Sequence, residues 1–126
     1  MTFKGKPVKV MITGDAKEEF DLLNKEVGEE ISKGIVSSEK QTLFNSIKQK
    51  IEILKDNPEF GTHVSKDKIP KEYIIKYDVN NIWKVNVSGA WRMIYTIKGS
   101  EVEIISLILD ILSHRDYEKK FDYRKR

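Results

Sequence analysis

The chain reads as an α+β domain in which an N-terminal strand and an αα-hairpin pack on a mainly antiparallel, twisted sheet of about four strands. Three observations predict it. Apolar and polar residues alternate through residues 83–87 and 91–98, the period of two that a half-buried strand requires. Two earlier stretches space their apolar residues three and four apart, which lines one face of a helix. Finally, one strand and two helices precede a run of consecutive strand signals, so the helices collect against a sheet rather than alternating with its strands.

Taken in order, residues 1–7 read as a ragged entry, and residues 8–12 alternate as a short strand. Thr13-Gly14-Asp15 turns the chain, with Thr13 or Asp15 as N-cap. Apolar residues at 16, 20, 23, 27 and 31 then predict a helix that Gly34 ends. Ser38 followed by Gln41 has capping-box spacing, and Leu43, Phe44, Ile47, Ile51 and Leu54 form the buried stripe of a second helix that stops before Pro58. Residues 58–71 are a Gly/Pro/Lys-rich connection and the expected mobile segment. Residues 73–77 are expected as a short strand, and residues 78–81 as a turn.

In the hairpin that follows, register decides the chemistry. A three-residue loop, Ser88-Gly89-Ala90, pairs Asn86 with Arg92 and gathers Lys84, Asn86 and Arg92 on one surface. It also keeps Trp83, Val85 and Val87 on the core side with Trp91, Met93, Tyr95 and Ile97. Gly99-Ser100 is expected to form a tight two-residue turn. The nearly continuous apolar run 102–109 predicts the most buried strand, with Asp110 to Ser113 leading out.

Composition bounds the function. The 126 residues suit a single domain spanning 1–126, with a short basic C-terminal tail, and no cysteine is present to form a disulfide or a thiolate metal site. No apolar run is long enough to cross a bilayer and no leader is evident, so a cytoplasmic protein without a membrane partner is expected. Net charge is +3 with a pI near 9.0. The basic residues cluster at Lys66, Lys68, Lys71, Lys76 and Lys84 and again at Lys119, Lys120, Arg124, Lys125 and Arg126. This pattern fits either phosphate contacts or ordinary solubilising charge.

No phosphate-binding loop, dinucleotide fingerprint, nucleophile elbow or zinc motif occurs, and neither a metal nor a cofactor is expected. What remains is Arg92 with Lys84 on one sheet face, and His114, Arg115 and Tyr117 just past the last strand. These residue types suit metal-free RNA cleavage. A guanidinium or ammonium offsets the charge gathering on the phosphate, and an imidazole or phenol moves the protons. Trp83 and Trp91 are assigned to structure, with base stacking as the alternative.

The run WKVNVSGAWRMIYTI, followed by SHRDYEKKF, resembles the RelE/ParE superfamily of toxins from toxin–antitoxin pairs. Trp91 to Tyr95 is similar to its aromatic-Arg-x-apolar-Tyr strand, and His114 to Tyr117 to the H-x-x-Y ending of the HigB-like branch. The resemblance implies a RelE/ParE-like fold and a ribosome-dependent mRNA endonuclease held by a cognate antitoxin. The ribosome and mRNA would be its other partners, with a homodimer or toxin–antitoxin hetero-oligomer as possible assemblies. On it, Arg92, Lys84, His114 and Tyr117 are the catalytic set. Lys66, Lys68, Lys71, Lys76, Asn86, Arg115, Lys119 and Lys120 are the RNA-binding residues. Asn86 stands where the RelE branch has a lysine proposed as general base; asparagine cannot titrate, so that role falls to His114 or is lost. The alternatives are a ParE-like gyrase binder and an inactive homologue acting as an interaction protein.

Overall fold

A computed structural model of the protein describes residues 2–121. Its strands are β1 (Thr2–Phe3), β2 (Lys6–Ile12), β3 (Thr62–His63), β4 (Trp83–Asn86), β5 (Arg92–Gly99) and β6 (Ile104–Leu112). Its α-helices are α1 (Asp15–Ser32), α2 (Glu39–Asp56), α3 (Lys71–Tyr77) and α4 (His114–Phe121). The architecture is α+β, but the sheet has six strands in the order β1-β2-β6-β5-β4-β3 and is mixed, because β2 runs parallel to β6. The expected count of about four strands missed β1 and β3, two residues each, which carry too little sequence for periodicity to register.

The ragged entry is a hairpin. Lys4 and Gly5 both take positive φ, 53° and 80°, the geometry of a two-residue turn that matches strand twist, and Phe3 faces Lys6. Gly14, rather than Thr13 or Asp15, caps α1, at φ 61°. A Cβ there would overlap the Tyr77 hydroxyl, so glycine is required twice over. Gly34, at φ 83°, closes α1 while the Ile35 N–H donates to the Glu30 carbonyl at 3.0 Å. Ser38 caps α2, accepting from the Gln41 N–H at 3.1 Å. The helices are antiparallel: Phe20 meets Phe44 at 5.2 Å between ring centroids, and Glu26 meets Lys40 at 3.0 Å.

The hairpin register is the one that the three-residue loop requires. Asn86 faces Arg92 and Val85 faces Met93, with Gly89 and Ala90 both at positive φ in the loop. Trp83, Val85, Val87, Trp91, Met93, Tyr95 and Ile97 all pack on the α1–α2 side. The second turn differs from expectation. Gly99 stays in β5 opposite Ile104, and a four-residue loop follows, held by the Ser100 N–H donating to the Glu103 carbonyl at 2.9 Å. The last strand therefore starts at Ile104 and runs through Asp110 instead of leaving the sheet there.

A bulge sits in that strand. Ile94 faces Asp110 and Tyr95 faces Ile108, which leaves Leu109 as the extra residue. Strict alternation would have put Asp110 beneath α1 and α2 with Ile108. Leu109 keeps the face that alternation gives it, and the bulge moves Asp110 and Leu112 onto that same face.

That opposite face is covered, contrary to the expected polar surface. Val64, Ile69, Tyr73, Val79, Ile82, Ile94, Leu109, Leu112, Tyr117 and Phe121 form a second core beneath α3 and α4. Residues 71–77 are helical, not a strand. Pro70 precedes the first turn, Tyr73 and Tyr77 lie one turn apart on the sheet side, and Asp78 ends the helix in the left-handed conformation. The expected mobile connection is also tied down, through β3 pairing with β4, the Val64 N–H donating to Ile82 at 2.9 Å, and buried Pro58, Val64 and Ile69. Arg124, Lys125 and Arg126 lie outside the described residues.

Candidate functional site

Lys84 and Arg92 reach the second face because β4 and β5 alternate, and α4 lays Tyr117 against them. The Lys84 ammonium donates to the Tyr117 hydroxyl at 2.9 Å and stands 5.2 Å from the ring centroid. The Arg92 guanidinium carbon stands 5.4 Å from the same centroid. Tyr117 is in turn stacked on Phe121 at 4.7 Å, so the phenol is fixed from behind and flanked by two cations. Arg92 is anchored through Nη1, which donates to the Ala90 carbonyl at 2.6 Å; its Nε and Nη2 have no acceptor among the described residues. Asn86, exposed, faces Arg92 across the strand pair.

His114 opens α4, three residues before Tyr117, and is exposed. Its Nε2 lies 3.3 Å from a Glu118 carboxylate oxygen, one turn along the helix. The structure does not bring the imidazole into hydrogen-bond contact with Lys84, Arg92 or Tyr117 among the described residues. Arg115 is exposed beside it.

The lysines divide. Lys66 and Lys68 occupy an exposed 3-10 turn, and Lys71 is exposed at the start of α3. Lys76 stands 3.5 Å from Asp15, and Lys119 borders a cleft that Asp15, Glu19 and Asp116 also line. Lys120 is bound to the buried Asp110 carboxylate at 3.0 Å, with Glu72 at 3.5 Å. Burial works against its charge, but Asp110 and Glu72 together outweigh that and hold the ammonium above the ordinary lysine range.

Three polar residues outside the predicted site set organise the surroundings. Asp110 also accepts from the Tyr73 hydroxyl at 2.6 Å, and burial followed by the charge of Asp110 pushes the Tyr73 phenol far up. Asn81 Oδ1 accepts from the Ile97 N–H at 2.9 Å and from the Trp83 indole at 3.1 Å. The hydroxyl of Tyr95, the motif tyrosine, lies on the α1–α2 side, donating to Pro58 at 2.7 Å and accepting from Gly61, and burial raises it to about 12. The one sequence signal for such roles was an acid inside an apolar strand, Asp110.

Chemically, the Lys84–Tyr117–Arg92 group can hold an anion and offer a phenolic proton backed by an ammonium. Among the described residues no group of three or more His, Cys, Asp or Glu side chains is placed to hold a metal ion, and no helix is long and apolar enough to cross a membrane. Comparison with protein-family models, with curated proteins and with solved structures finds no match.

Proposed function

We propose that the protein is a toxin of the RelE/ParE kind that cleaves ribosome-bound mRNA and is restrained by an antitoxin. The observation that carries this reading is the Tyr117 phenol set between Lys84, at 2.9 Å, and Arg92, whose guanidinium lies over the same ring. The ribose 2′-oxygen attacks the neighbouring phosphorus, forming a 2′,3′-cyclic phosphate as the bond to the 5′-oxygen breaks. Arg92 holds the negative charge that builds on the phosphorus oxygens. Tyr117 passes a proton to the departing 5′-oxygen and is resupplied by the Lys84 ammonium. The proton of the 2′-hydroxyl goes to His114 at the exposed start of α4, since Asn86 has no titrating group.

A second reading has its own support. His114 is engaged with Glu118 at 3.3 Å rather than with the cluster, which favours a binding role such as the gyrase inhibition of ParE-like toxins, or an inactive interaction protein. Expressing the chain without a partner separates these. A nuclease halts translation and leaves cut message; a gyrase binder leaves message intact and damages DNA. Growth without either effect would overturn both toxin readings.

A further inference from the structure

We infer that the cleft between the first turn of α2 and the β4–β5 loop is a nucleobase subsite, in which a base of single-stranded RNA stacks on Trp91. This rests on the RNA reading above and extends it to a surface the catalytic residues do not touch. The cleft measures about 670 Å3 and is walled by Ser37, Thr42, Leu43, Ser88, Gly89 and Trp91. That size suits a small planar ligand.

The two indoles are treated differently. The Trp83 N–H is satisfied by Asn81 at 3.1 Å, whereas among the described residues no acceptor meets the N–H of half-buried Trp91. The hydroxyls of Ser37, Thr42 and Ser88 likewise lack partners among the described residues, although neighbouring Ser38 and Ser46 are both used. A donor-bearing aromatic wall and three unused hydroxyls thus border one cavity. Gly89 leaves the indole edge open, because a Cβ there would stand 3.7 Å from Trp91 Cδ1.

Charge argues against a phosphate in the same place. Lys40 also borders the cleft but is paired with Glu26 at 3.0 Å, and Glu39 adds a negative charge. An uncharged ring with polar edges fits; an anion does not. Arg92 is tied to the same loop: its guanidinium donates at 2.6 Å to the carbonyl of Ala90, the last residue of the loop that supplies Ser88 and Gly89. A strand with a phosphate on Arg92 can therefore bend around the loop and deliver an adjacent base to Trp91 on the other side of the sheet.

The test uses the full chain and a single-stranded RNA oligomer with 2′-O-methyl riboses, which blocks cleavage. Trp91 packs on the core, so Thr42→Phe, on an exposed position of α2, is the variant that fills the cleft without disturbing the fold. It should weaken binding roughly tenfold, within the range measured for losing one base–aromatic stack, and leave the salt dependence unchanged. An abasic oligomer should bind wild type and Thr42→Phe equally. In a Trp83→Phe chain, the oligomer should quench the remaining tryptophan. Equal affinities of wild type and variant for the base-bearing oligomer, with no quenching, would overturn the subsite while leaving the RNA reading intact. Failure of wild type to bind any oligomer would likewise overturn the subsite, whereas the cleavage reading stands or falls on programmed ribosomes.

Discussion

At the level of single residues, the proposed cleavage gives Lys84, Arg92 and Tyr117 distinct duties that substitution can separate. Arg92→Ala should lower cleavage by about 10² to 10³, the scale of losing one group that stabilises transition-state charge. It should leave the fold intact, because the side chain lies at the rim of the second core. Tyr117→Phe keeps the stack on Phe121 at 4.7 Å and removes only the hydroxyl that accepts from Lys84. Stability should fall by about 0.5–1.5 kcal/mol in urea unfolding. Cleavage should fall far more than that loss explains; a variant with unchanged cleavage would deny the phenol any part in proton transfer. His114→Ala is the sharper probe of the missing base, with an expected loss of roughly 10²- to 10⁴-fold.

Among the elements, α4 matters most, since it carries Tyr117 and is pinned by the Tyr73–Asp110–Lys120 group. Asp110→Ala would strand a partly buried ammonium and a buried phenol, and should cost about 3 kcal/mol in urea unfolding. The same group sets a pH limit. Lys120 and Tyr73 both have folded-state values raised above their ordinary 10.5 and 10.0, so their contribution is complete below those values. It is lost as pH climbs through the raised ones. Stability should therefore drop from about pH 10 upward, and less steeply in Asp110→Asn. On α1, burial first and then the charges of Glu26 and Asp116 hold the Glu19 carboxyl above its ordinary 4.5. A raised carboxyl favours the folded state only below that value. Glu19→Gln should thus stabilise at neutral pH, by about 0.5 kcal/mol, and give no gain in acid.

For the whole molecule, modest net charge of +3 makes placement of the cations more important than their number. RNA affinity should decline with salt, and removing both Lys84 and Arg92 should reduce the log–log slope by about 1.4 if each meets one phosphate. How much of this was legible varies with the physical signal. The α1–α2 hairpin and the Asn86–Arg92 register followed from periodicity and from the need to keep both tryptophans on one side. Local patterning could not show the parallel β2–β6 pair, which joins segments far apart in sequence. Nor could it show the helical state of residues 71–77, where the short run Tyr73-Ile74-Ile75-Lys76-Tyr77 fits either period and Pro70 with tertiary packing decides. The second core stayed hidden because its members, Ile94, Leu109, Tyr117 and Phe121, are spread over β5, β6 and α4, and the bulge at Leu109 shifts the alternation. Lys84 and Arg92 were readable as sheet-face cations; that Tyr117 would lie between them needed the path of α4.

The most direct test of the Lys84–Tyr117–Arg92 site is the end chemistry of an mRNA incubated with purified protein and programmed ribosomes. Cleavage should leave a 2′,3′-cyclic phosphate and a 5′-hydroxyl, persist in a metal chelator, and vanish with Arg92→Ala. Intact message, or ends carrying a 5′-phosphate, would contradict the site as a phosphodiester-cleaving centre.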